Sequence, residues 1–406
     1  MKKQTKSIFH QCFYALAVLL ITWGCSKTDE NPQDMPVAHE RGEVISSSSM
    51  GSVSLYVIED MIADAGIEVP LELKYPVEVL SVTYATLGAG GEHIIASGAI
   101  FIPLGHDDQP LLSIQHGTET KRNLVASVHP ENSVEGMVGL VTASTGYFSL
   151  VPDYPGFGVS EEMHPYMHAE SLIPSVIDFM RAGKEICESR ALSLNGKIFL
   201  TGYSEGGYVT LAAQKAIEEK HPGEFDLTAV APLAGPYDLK GMMDSIFMAS
   251  IFPSNAYAGY FLTAYNHVYQ WTQLNHFFIS PYGGMMNGLF DGTKTWGEVT
   301  QELPENFQDL MNPEFIQAYN SGNEPALEQA LAENTLLDWT PQTPIHFFHG
   351  DADSIVPFQN VLTAMAKLTS NGATDIQMTT IPGGTHESSG PAAIFGALKW
   401  FEEFNQ

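Results

Sequence analysis

Positive charge is scarce in this chain. Its 406 residues include 18 lysines and arginines against 47 aspartates and glutamates, a formal net charge of −29. A surface this acidic repels nucleic acid and anionic lipid headgroups, so neither is an expected partner. Cysteine is nearly missing as well, with Cys12, Cys25 and Cys187 as the whole set. No Cys/His ligand cluster exists, and no metal is called for. "HESSG" begins like a zinc-protease helix but has Gly390 where the second histidine belongs. "DADSIV" begins like a calcium loop but carries Ile355, with no glycine following at the needed place. There is no Walker loop, no dinucleotide fingerprint and no internal repeat, so a nucleotide cofactor and a solenoid are both disfavoured. The longest apolar run, about Phe13 to Trp23, is short for a membrane-spanning helix.

What the chain does have begins at that run. Lysines precede it and Gly24-Cys25 follow it, the order of a secretory signal over residues 1–24. A cysteine after a small residue at the cleavage point resembles a bacterial lipobox. That resemblance implies lipidation of Cys25 and anchoring to the bacterial outer membrane, facing the periplasm or the surface. Asp29-Glu30 close behind resemble surface-export signals of Bacteroidetes lipoproteins. The polar stretch to Ser52 holds Pro, Gly and a serine run, and reads as a tether over 25–52. With Cys12 removed and Cys25 acylated, Cys187 has no disulfide partner. Its place in an amphipathic helical stretch suits a small buried hydrophobe.

From Val79 onward strands and helices alternate. "VLSVTYATL" and "HIIASGAIFIP" read as a hairpin, and "LLSIQHG" and "YFSLVPDYPGFG" as buried strands ending in glycine turns. A helix over "AESLIPSVIDFMRAGKEICES" follows, then strand "KIFLTGY", helix "GGYVTLAAQKAIEEK" and strand "LTAVAPLAG". Later come "TPIHFFHG", a helix from about Phe358, "DIQMTTIPGG", and a last helix from about Pro391 to Glu403. This alternation predicts a mostly parallel sheet covered on both faces. Residues 238–340 break the rhythm. They are dense in Tyr, Phe, Trp and Met and too long for a loop, which predicts an inserted helical cap. The core is then 53–237 with 341–406.

Gly202-Tyr203-Ser204-Glu205-Gly206 fits G-x-S-x-G between a predicted strand and a predicted helix. A nucleophile on so tight a turn collides with flanking side chains unless they are glycines. The turn also leaves backbone N–H groups free at the helix start, and that of Glu205 can face an oxyanion. The Glu205 side chain suits the positive helix end and is given no chemistry. A serine hydroxyl needs a base, and the base needs an orienting carboxylate. His386 follows the last predicted strand in a glycine-rich loop and is the candidate base. Asp353 follows the strand before it and is the candidate acid, with Asp351 two residues away as its rival.

The set Gly202–Gly206, His349-Gly350-Asp351-Ala352-Asp353 with Val356-Pro357, and Gly384-Thr385-His386 resembles the α/β-hydrolase superfamily. "QHGT" at 115–118 is similar to that family's oxyanion loop and "DYPGFGVS" at 153–160 to its next strand-end turn. The resemblance implies an α/β-hydrolase fold and the backbone N–H of Thr118 as second oxyanion donor. It also implies Asp353 as the acid, since the family often places it three residues past the His-Gly glycine. Asp153, His116 and His349 are read as loop-fixing residues. The "QHGT", "DYPGFG" and "GYSEGG" trio, with a long cap before the acid, is similar to secreted lipases and esterases of the lipase A type. The implied reaction is hydrolysis of a carboxylic ester through an acyl-enzyme, without a cofactor. The aromatic cap points to an apolar or aromatic substrate moiety on a small-molecule or polysaccharide-linked ester. Two other readings stand beside it. One is a serine peptidase of the same fold, although too little chain precedes Val79 for the large N-terminal domain such peptidases often carry. The other is a binding protein on a hydrolase scaffold, which has no chemical need for Ser204, Asp353 and His386 together.

Overall fold

The computed structural model describes residues 39–64, 66, 69–252 and 254–405. The signal, Cys25 and the first part of the expected tether lie outside the described residues.

The order of elements begins β1 (Val44–Val53), α1 (Leu55–Asp64), β2 (Val77–Leu87), β3 (His93–Pro103), β4 (Gln109–Gln115), α2 (Val134–Thr145) and β5 (Phe148–Pro152). It continues with α3 (Ala169–Ser189), β6 (Leu194–Tyr203), α4 (Glu205–Lys220) and β7 (Ala229–Leu233). Then come α5 (Leu239–Ala249), α6 (Asn255–Val268) and six shorter helices ending in α12 (Pro325–Glu333). β8 (Ile345–Gly350), α13 (Gln359–Ser370), β9 (Ile376–Ile381) and α14 (His386–Phe401) complete the described chain.

The nine strands form one sheet in the order β1-β2-β3-β5-β4-β6-β7-β8-β9. The first three are antiparallel, and all pairings from β5 to β9 are parallel. The parallel strands explain themselves by burial. β4, β5 and β7 have no exposed residue, as expected where helices cover both faces. Helices α3, α4 and the inserted helices share one core with the sheet. Helices α1, α2 and α14 share the other. The packing is close enough to demand missing side chains. A Cβ on Gly98 in β3 would sit 2.5 Å from the Phe179 ring of α3.

Three expectations need correction. Residues 44–52 are not tether: they form β1, paired along β2 from Val44↔Tyr84 to Val53↔Val77. A strand at the sheet's edge needs only backbone pairing, so a serine run whose side chains face water can supply it. Ser46 Oγ and Thr83 Oγ1 lie 2.8 Å apart across this pair. Just before it, Arg41 Nε donates at 3.0 Å to the buried Asp178 of α3, so the fold begins ahead of Val53. Helix α2, between β4 and β5, was not anticipated. Ser133 caps it by accepting from Gly136 N at 3.0 Å, and Gly146 ends it in the left-handed conformation at φ 117°. The last helix starts at His386 and not near Pro391. Thr385 Oγ1 accepts from Ser388 N at 3.2 Å while Ser388 Oγ accepts from Thr385 N at 2.9 Å. That reciprocal cap secures the first turn and leaves Pro391 in the second.

The chain visits β4 and β5 on one side and then crosses to β6 on the other side of β4. Such a reversal opens a crevice at the carboxyl ends of the strands, where ligands of open α/β sheets bind. Ser204 lies at that end of β6 and Thr118 at that end of β4.

Candidate active site

Ser204 sits between β6 and α4 with φ 59° and ψ −119°. A non-glycine residue adopts such a backbone only when its surroundings force it. They do so here. Ser204 N donates to Leu233 O of β7 at 2.9 Å. A Cβ on Gly202 would come within 2.5 Å of Gly206 O, and one on Gly206 would overlap Gln115 O. The turn is therefore pressed between β4 and β7, and the serine side chain has only the crevice left to enter.

Three side chains meet there. Ser204 Oγ lies 2.8 Å from His386 Nε2, and His386 Nδ1 lies 2.7 Å from Asp353 Oδ2. All three residues are buried. The other carboxylate oxygen, Asp353 Oδ1, accepts from Ile355 N and Val356 N, each at 2.9 Å. Burial alone would raise the Asp353 carboxyl. The neighbouring N–H groups of His349 and His386, and those of the loop backbone, outweigh it and hold the group at about 2. A carboxylate so placed stays ionised and fixes the imidazole with its hydrogen on Nδ1, which leaves Nε2 to accept from the serine. Asp351 is exposed and does other work. Its Oδ1 accepts from Gly383 N at 2.6 Å, in the loop leading to His386.

Glu205 begins α4, so its backbone N–H has no helical carbonyl to reach. No hydrogen bond among the described residues uses the N–H of Thr118 either. Both Thr118 and Ser204 line one cavity. The loop around Thr118 is held from several sides. Gly117 N donates to Glu135 Oε1 of α2 at 2.8 Å, and Thr118 Oγ1 lies 3.0 Å from the Tyr166 hydroxyl. Tyr166 in turn stacks on Tyr260 of α6 at 4.4 Å. His116 is fixed between Gly117 O at 2.8 Å and Asp153 O at 3.1 Å. The buried Asp153 carboxylate accepts from Ser97 Oγ at 2.6 Å and from the Ser127 hydroxyl.

Sequence reasoning missed His164, Tyr166, Glu135 and Tyr257. The Glu205 side chain is fully buried and pairs with His164 Nε2 at 2.7 Å, while His164 Nδ1 donates to Pro155 O at 2.9 Å. Nothing in "EEMHPYMH" marks His164 for this, because its partner lies 41 residues along the chain. Tyr257 of α6 lines the cavity that holds Ser204 and His386.

That cavity has a volume of about 730 Å³. It extends from Ser204 and His386 along α2 and α14, with Met137, Val141, Ile394, Phe395 and Leu398 among its walls. Its inner surface is mainly hydrocarbon, which suits an extended apolar group next to a reacting carbonyl.

Fold and site together define a class: this is an α/β hydrolase, a serine hydrolase. A prolyl oligopeptidase family model matches residues 282–404, which include β8, the Asp353 loop, β9 and α14. Among solved structures the chain is similar to a ligand-bound form of the rice cell wall degrading esterase LipA from Xanthomonas oryzae. Identity is 30%, over 89% of this chain and 96% of that one, with a TM-score of 0.78. Candida antarctica lipase A in its closed state shares the fold at 16% identity, over 90% and 82% of the two chains, with a TM-score of 0.66. No curated protein sequence matches the chain. The chain belongs to the family of the Xanthomonas esterase, within the α/β hydrolases.

Proposed function

We propose that the protein hydrolyses carboxylic esters through an acyl-enzyme, with Ser204 as nucleophile, His386 as base and Asp353 as orienting acid. The unbroken hydrogen-bond chain Ser204–His386–Asp353 carries this reading. Ser204 Oγ attacks the carbonyl carbon as its proton passes to His386 Nε2. The N–H groups of Thr118 and Glu205 receive the oxyanion, each worth about 3 kcal/mol of barrier. The tetrahedral intermediate collapses and His386 gives the proton to the departing alcohol. Water, deprotonated by His386, then attacks the acyl carbon, and the carboxylic acid leaves as Ser204 regains its proton. Asp353 stabilises the imidazolium in both halves.

The acyl group is the part the long apolar cavity favours. Each methylene buried contributes about 0.8 kcal/mol, or roughly fourfold in kcat/KM until the cavity is full. The alcohol side we take to be a sugar of a cell-wall polymer, by analogy with the rice cell wall degrading activity of the Xanthomonas relative. The test is a chain-length series of chromogenic esters run beside acetylated and feruloylated glycans and a peptide anilide, with wild type and Ser204→Ala. Wild type is expected to gain from acetyl to octanoyl, and the variant to lose turnover by a factor on the order of 10⁶. Retained turnover in Ser204→Ala overturns the assignment, and faster cleavage of the anilide than of any ester makes the enzyme a peptidase.

We also propose that Cys25 carries the lipid that anchors the enzyme to the outer membrane, on the basis of the signal and the cysteine after it. Labelled palmitate should enter the wild-type protein in cells and not Cys25→Ser.

A further inference from the structure

His349 ends β8 beside the triad, fully buried, and the mechanism above leaves it without a task. Its Nε2 lies 2.9 Å from Val356 O and 3.2 Å from Asp353 Oδ2. Both are acceptors, so Nε2 carries the hydrogen. Nδ1, on the far side of the ring, is buried with no hydrogen-bond partner among the described residues. The ring is thus turned with its one engaged nitrogen toward the acid loop. Asp353 Oδ2 is the very oxygen that holds His386 Nδ1, so two imidazoles crowd it, His386 by a hydrogen bond and His349 by a close contact while donating to Val356 O.

We propose that His349 is a positioning residue of the reaction: its Nε2–H, held by Val356 O, fixes the loop that aims the Asp353 carboxylate, and its nearness to Oδ2 limits how strongly that oxygen holds the proton of the base. This inference rests on the triad assigned above. The physical reason is electrostatic: two N–H dipoles lie beside one carboxylate oxygen. Each N–H placed close to Oδ2 offsets part of its negative charge. With His349 in place, the carboxylate stabilises the imidazolium form of His386 less than it would with His386 as its sole partner at that oxygen. Without His349, the protonated base is favoured, and the base becomes active only at higher pH. Val356 O also loses a donor, which loosens the loop that carries Asp353.

The other groups around the base leave this effect legible. Facing His386 are Ser204 from the elbow, Tyr203 at the end of β6, Tyr257 from α6, and Glu387 next to it on α14. Facing Asp353 are His349 and His386. Burial pushes the Tyr203 hydroxyl up and Tyr257 up to about 12, so both stay neutral across the acid limb.

Three variants test the proposal. His349→Phe keeps a flat ring against Phe358 and removes the donor. His349→Gln restores a donor where Nε2 lies. His349→Asn fills the site with a polar group too short to reach Asp353. Each is measured by thermal melting, by kcat and KM on one chromogenic ester, and by kcat/KM against pH. His349→Phe and His349→Asn are expected to move the acid limb upward by about half a pH unit or more. Their kcat should fall on the order of tenfold with KM little changed. His349→Gln should return both toward wild type. If His349→Phe does not fold, the comparison of Gln with Asn decides. Acid limbs that coincide for Gln and Asn, or a loss of kcat with the limb unmoved in both, overturn the proposal. Failure of the triad itself appears separately, as turnover retained by Ser204→Ala.

Discussion

His164 Nε2 lies 2.7 Å from Glu205 Oε1, and neither side chain reaches solvent. The pair sits directly behind the nucleophile, since Glu205 follows Ser204 and its backbone N–H is the proposed oxyanion donor. His164 hangs from Pro155 O in the loop after β5, so the clamp ties that loop to the first turn of α4. Removing one partner of such a pair leaves a buried group without its complement, at a cost of about 3–5 kcal/mol. His164→Ala should therefore show that loss in urea denaturation, together with a lower kcat from a displaced N–H. Unchanged stability would mean the pair contributes nothing net.

The two aspartates of "DADS" should separate cleanly. Asp353→Asn keeps the shape but replaces an acceptor with a group that can turn its amide toward His386. The wrong imidazole tautomer then follows, and kcat should drop by a factor on the order of 10⁴. In Asp351→Asn the remaining carbonyl can still accept from Gly383 N, so kcat should stay near wild type. Equal losses in the two variants would reassign the acid.

Glu162 supplies a pH-dependent stability. Burial first, and then the neighbouring Glu92, push its carboxyl up to about 7. In the unfolded chain a glutamate titrates near ~4.3. Between those values the native state holds more protons than the unfolded state, so stability falls as pH rises through the window. Glu162→Gln removes the titration. Against wild type, the variant should be relatively more stable at pH 8 than at pH 4 in chemical denaturation. The same difference at both pH values would sink this account.

Ser204 was legible in the sequence because its motif is itself a steric statement. Two glycines around a serine, after an apolar run and before a helical one, describe a turn that only missing side chains allow. The order Ser, Asp, His followed from strand-end loops in the same way. Asp353 and Asp351 were harder, since both lie in one loop. The choice rests on the turn after Asp353, whose backbone N–H groups at 355 and 356 seize one carboxylate oxygen and aim the other. β1 was illegible because an exposed edge strand carries no apolar alternation. Helix α2 left a subtler trace: two parallel neighbouring strands require a crossover, and residues 116–147 had to supply one. His164 left none, and His349 showed itself only as a loop-fixing residue, because a histidine's use depends on which way its ring nitrogens face.

The alternation of strands and helices from β2 onward, α2 apart, the position of the strained serine and the chemical types of its helpers are properties of the sequence alone. They follow from local sterics and from the period of buried side chains, which act over a few residues. The meeting of Ser204 with His386 across 182 positions was decided by the tertiary structure, as was the approach of two imidazoles to one carboxylate oxygen. So was the hollowing of an apolar cavity between α2 and α14. Those depend on sheet order and helix packing, and such long-range choices leave no periodic mark on the residues that satisfy them.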